Sequence, residues 1–125
     1  MEETMSSLQE LQKEALSELV DYSEKIIRGT EEVIKELRGT RKEDTDELFN
    51  LVIQGINWEI EVFNNCESLI NKDGQQIDKE KMATAVGRLG KVLQEKDDIK
   101  LAACLDVDFL PFLKAMEFAA LTVSQ

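Results

Sequence analysis

The chain has 125 residues, 42% of them hydrophobic and 33% charged, a size and balance that suit one domain able to bury about two-thirds of its unfolded surface without metals or disulfide staples. Asp and Glu number 26 against 15 Lys and Arg, a net charge of -11. That charge repels phosphate backbones and anionic lipid headgroups, so no nucleic-acid or membrane partner is expected, while basic proteins are attracted.

The absence of histidine removes the Ser-His-Asp and Cys-His nucleophile systems, the HExxH zinc site and the ExxH di-iron site of helical bundles. Cys66 and Cys104 form no CxxC pair and sit in apolar helical contexts, so they read as buried, reduced thiols of a cytoplasmic protein. The opening MEETMSSLQELQKE is acidic and amphipathic, unlike the basic-then-apolar start of a secretory signal.

The first helix is expected from about Ser6 to Arg38. Leu8, Leu11, Ala15, Leu19, Tyr22, Ile26, Thr30, Val33 and Leu37 follow steps of three and four, and the 11-residue repeat predicts one nearly straight stripe. Leu16, Val20, Ile27 and Ile34 widen it into a core face. Because the stripe keeps its phase across Gly29, the helix should continue through that glycine. Gly39, where the phase stops, reads as the C-terminal cap.

Asp44 with Glu47 resembles a capping box for a second helix, from about Thr45 to Asn71. Phe49, Val52, Ile56, Ile60, Phe63 and Ile70 mark one apolar stripe along it. Leu51, Trp58, Val62, Cys66 and Leu69 mark another, and Gly55 reads as a point of close helix approach. The combined arc is broad enough to touch more than one neighbour, which makes Phe49, Val52, Trp58, Val62 and Leu69 candidates for a partner or dimer interface.

Residues 72–75 read as a turn. A calcium-loop alignment around Gly74 puts Leu69 at the first ligand position, where it cannot ligate, so no metal is expected. Asp78 should cap a third helix, Lys79 to Glu95, with Ile77 and Met82 as a hydrophobic staple. Met82, Val86, Leu89 and Leu93 form its predicted face, and Ala83, Ala85, Gly87 and Gly90 predict a thin, closely packed helix.

Asp97-Asp98 should cap the last element, the most apolar stretch of the chain, Ile99 to Val123. Lys100, Asp106, Asp108, Lys114, Glu117 and Thr122 interrupt it, and charges spread through its middle argue against a membrane span. Pro111, the single proline, predicts a break or sharp kink, with Asp108 capping the restart. The expected fold is therefore all-α: an antiparallel four-helix bundle with its last helix broken or kinked near Pro111.

The expected function is non-catalytic. The broad apolar arcs and the lack of catalytic constellations predict an adaptor, chaperone-like or regulatory bundle that binds a partner helix, or itself as a homodimer, with no cofactor. The alternative is a ligand-binding or enzymatic bundle with a polar pocket around Asp106, Asp108 and Lys114, since carboxylates inside an apolar stretch call for a reason.

Overall fold

The structure, a computed structural model, describes residues 2–72 and 77–123, with side chains from residue 7 onward. Four helical rods run α1 (Glu2–Arg38), α2 (Thr45–Ile70), α3 (Lys79–Glu95) and a C-terminal rod. That last rod comprises α4 (Asp98–Cys104), a π-helical turn (Leu105–Phe109) and α5 (Leu110–Val123). No strand occurs among the described residues, and no described helix is long and apolar enough to cross a membrane.

At 1.5 Å per residue α1 is about 55 Å long. It passes through Gly29 unbroken, as the phase of its stripe requires, and the Thr30 hydroxyl donates to the Ile26 carbonyl inside the helix at 2.7 Å. The two glycines of this pair of helices sit where α1 and α2 cross. A Cβ on Gly29 would lie 3.2 Å from Val52, and one on Gly55 would lie 2.9 Å from Ile26. Gly55 therefore cannot carry a side chain unless the β-branched Ile26, stiff in a helix, moves away.

Three rods make the core: α1 packs on α2 and along the whole C-terminal rod, and α2 also meets α5. Leu16, Leu19, Val33, Ile56, Phe63, Leu105, Phe109, Leu113 and Met116 are sealed from solvent, and Phe63 meets Phe112 edge to face at 6.1 Å. At one end of the α1–α2 interface the Gln12 amide donates to the Asn65 carbonyl at 2.9 Å, and the Cys66 thiol donates to the Gln12 carbonyl at 3.6 Å.

The entry to α2 differs from the predicted capping box. Asp44 has φ -99° and ψ 10°, and its side chain makes no cap hydrogen bond. Its backbone lies outside the extended region from which a cap carboxylate reaches the N2 and N3 amides. Thr45 instead fixes the preceding turn: its hydroxyl accepts from the Lys42 amide at 2.7 Å and donates to the buried Glu36 carboxylate at 2.8 Å. The caps of the next two helices are as expected. Asp78 accepts from the Glu80 and Lys81 amides, and Asp97 accepts from those of Ile99 and Lys100. The turn expected at 72–75 lies, after Lys72, outside the described residues.

Helix α3 packs on α4 and the π turn, but its two glycines do not provide the close packing predicted. Gly87 and Gly90 face open space, and the inward side is Met82 and Ala85 with half-buried Leu89 and Val92. Val86 and Leu93 are exposed. The helix ends on Lys96 at φ 54°, a left-handed position usually held by glycine.

The proline is accommodated without the predicted end and restart. Cys104, Leu105 and Leu110 all keep right-handed helical dihedrals, and the Leu110 amide reaches back five residues to the Leu105 carbonyl. The wide π turn thus interrupts the α-helical ladder directly ahead of Pro111, where a regular ladder would set a carbonyl against the proline ring. Asp108 is left free of any capping duty. Because α3 is much shorter than the rod it covers, the side of α5 one and two turns beyond Pro111 is bare, and Phe118 is 66% exposed there.

Candidate functional site

Residues two apart on a helix point to nearly opposite sides, and Asp106 and Asp108 do so here. The Asp106 carboxylate accepts from Arg38 of α1 at 3.1 Å. Asp108 accepts from Arg88 of α3 at 2.6 and 2.7 Å, and the Cys104 thiol donates to it at 3.5 Å. Lys114 is exposed, nearly two turns beyond Asp108. The three residues do not line one cavity: Asp106 and Asp108 form ion pairs that fasten the rod to different helices, and Asp108, with Arg88 and Pro111, borders an open groove between α3 and the π turn. Burial and the neighbouring Asp108 push the Cys104 thiol up to about 11, and burial also raises Cys66, so both free thiols stay protonated near neutrality.

The basic residues at the end of α1 are likewise engaged. Arg41 donates to both oxygens of Asp98 at 2.7 and 2.9 Å and to Asp46 at 2.6 Å, tying the first connection to the starts of α2 and α4. The guanidinium holds Asp98 below the usual carboxylate range, and the two acids in turn raise Arg41. Beside this cluster a groove between the helix ends is lined by Leu37, Phe49, Val92, Leu93 and Leu101.

The interface candidates divide. Val52 and Val62 are buried in the chain's own core, while Phe49, Trp58 and Leu69 are half-buried against it. Trp58 meets Tyr22 of α1 edge to face at 6.0 Å, and Tyr22 is 49% exposed. One turn before Gly55, Leu51 is 61% exposed. These side chains border an open groove between α1 and α2, floored by Ile26 and Gly55 and edged by Glu18, Lys25 and Gln54. The sequence placed Leu51 in an apolar arc without showing that it faces outward.

The least expected residue is Glu59. It is 0% exposed, and neither carboxylate oxygen has a hydrogen-bond partner. Burial, with a smaller contribution from the Glu117 carboxylate of α5, pushes it up to about 8, so the neutral acid predominates at pH 7. Ser23 of α1 is equally buried and its hydroxyl is also unpartnered. The Tyr22–Trp58 contact puts Ser23 and Glu59 at about the same level of the α1–α2 interface. Among the described residues no three His, Cys, Asp or Glu side chains group to hold a metal ion. The candidate calcium loop runs partly outside them.

The family described as "Domain of unknown function (DUF8042)" has a sequence profile that matches residues 14–118. The chain belongs to the DUF8042 family. No curated protein and no solved structure matches it. For this DUF8042 chain the matched region includes the α1–α2 groove, Glu59 and both cysteines.

Proposed function

We propose that this DUF8042 protein is a non-catalytic, cytoplasmic interaction bundle, an adaptor, chaperone-like or regulatory protein that receives a helix of another protein on its uncovered apolar surface. The observation that carries the reading is the exposure of large apolar side chains in clusters: Leu51 with Tyr22 and Trp58 on one side, and Phe118 with Leu121 on another. Aromatic and large aliphatic side chains held on rigid helices are the usual anchors of helix-in-groove recognition. Asp106 and Asp108 act as struts between helices and the Cys104 thiol is protonated, so none of these groups is an activated nucleophile.

The bare end of α5 favours a second reading, a homodimer closed through Phe118 and Leu121 where α3 stops short. Light scattering over a wide concentration range tests both. A monomer at every concentration leaves the Tyr22, Leu51 and Trp58 cluster to a different protein, as the first reading expects. A dimer that Phe118→Glu converts to monomer establishes the second.

A further inference from the structure

Resting on the protein-interaction reading, we infer that the α1–α2 groove is the docking site for a basic amphipathic helix. The groove offers an apolar notch between Tyr22, Leu51 and Trp58, with a floor of Ile26 packed directly on the Gly55 backbone. Its surroundings are acidic. Glu18 lies on the rim, Glu14 one turn before it, Glu47 one turn before Leu51, and Glu61 three residues after Trp58, all exposed.

Against these four acids, within the same reach, stand Lys25 on the rim and Arg28 beyond it, and Arg28 is held by Glu24 at 2.6 Å. None of the four is engaged in an ion pair among the described residues, in contrast to Asp46, Asp98, Asp106 and Asp108 at the bundle's struts. Free carboxylates around an apolar notch attract a partner with Lys or Arg flanking its apolar anchor. They also disfavour a second copy of this chain on the same face, because a two-fold interface would set one acidic rim against another.

Trp58, the only tryptophan, reports on the site directly. The probes are two synthetic amphipathic helices with the same leucine face, one with lysines on the polar face and one with glutamates, titrated while Trp58 fluorescence is followed. The lysine peptide should give a saturable change, weaken at least tenfold between low salt and about 0.5 M salt as exposed charges are screened, and bind at least tenfold tighter than the glutamate peptide. Leu51→Asp should weaken it at least tenfold, as should the double variant Glu18→Lys, Glu61→Lys. Val107→Asp, an exposed position on the π turn, should leave it unchanged.

Circular dichroism confirms that each variant stays helical. Leu51→Asp adds a negative charge, so a merely electrostatic coating would bind the basic peptide tighter, and that result overturns the proposal. Equal binding of the two peptides, or no saturable signal, also overturns it. If Val107→Asp abolishes binding and Leu51→Asp does not, the groove assignment fails while the protein-interaction reading stands.

Discussion

Replacing Glu59 with leucine should stabilise the bundle, and by more at pH 8.5 than at pH 5. The carboxyl is raised from 4.5 to about 8 in the fold, so between those values the folded chain holds a proton that the unfolded chain has released. This carboxyl's contribution to stability is therefore greatest below pH 4.5 and declines as pH rises, with the full loss reached above pH 8. At 1.36 kcal/mol per pH unit that loss is about 5 kcal/mol, a large fraction of a small domain's total. Self-repulsion in a chain of net charge -11 acts in the same direction.

Urea unfolding at a series of pH values measures the effect. The wild-type midpoint should fall between pH 5 and 8.5, whereas Glu59→Leu should be stabilised by about 2–5 kcal/mol at the upper end and lose most of this slope. Glu59→Gln, which cannot ionise but still buries an unpartnered amide, should lose the slope with a smaller gain. A wild-type slope that persists in both variants would mean that the carboxylate is solvated in the fold.

The second large effect is expected at Phe63. Its ring is fully buried where α2 meets α5, edge to face with Phe112, and truncation to alanine removes the ring and leaves a cavity between rigid helices. Phe63→Ala should cost about 3–5 kcal/mol in urea unfolding. The loss of α2–α5 packing should also speed hydrogen exchange along α5 more than along α3, which packs elsewhere. A cost under about 1 kcal/mol would mean that α2 and α5 do not share a core.

Much of this architecture was legible in sequence. The 11-residue repeat through Tyr22 and Thr30 carried α1 correctly across Gly29, and the tight contact of Ile26 with Gly55 matches the expected role of that glycine. Asp78 and Asp97 identified their helix starts because a short carboxylate ahead of a periodic run has few other uses. The features that escaped depend on three-dimensional phase.

Glu59 drew no expectation of burial, being one acid among 26. Yet Val52, Ile56, Glu59, Phe63, Cys66 and Ile70 form an unbroken series of four- and three-residue steps, all buried. The signal was available in the spacing and was masked by assigning Ile60, half-buried, to that stripe. On α3 the apolar bulk of Val86 and Leu93 outweighed small Ala85, although the inward face runs through Ala85 and Val92.

The candidate site was less legible still. Asp106 and Asp108 stood out for lying in an apolar stretch, but periodicity cannot show that Arg38 and Arg88 arrive from opposite sides to meet them. Leu51 and Val62 belonged to the same predicted arc; one is exposed and the other buried because α1 covers α2 on only part of that arc. Which apolar residues are left over is decided by how long each neighbour is, and α3 falls short of the rod it covers.

The measurement that bears most directly on the account is site-specific photo-crosslinking in living cells, with a photoreactive residue at position 51 and a control at exposed Glu31. Position 51 should yield one discrete adduct with a different protein, joined through a basic amphipathic helix of that partner, and position 31 should not. Equal labelling from both positions, or an adduct at position 51 only with a second copy of the chain, would contradict it.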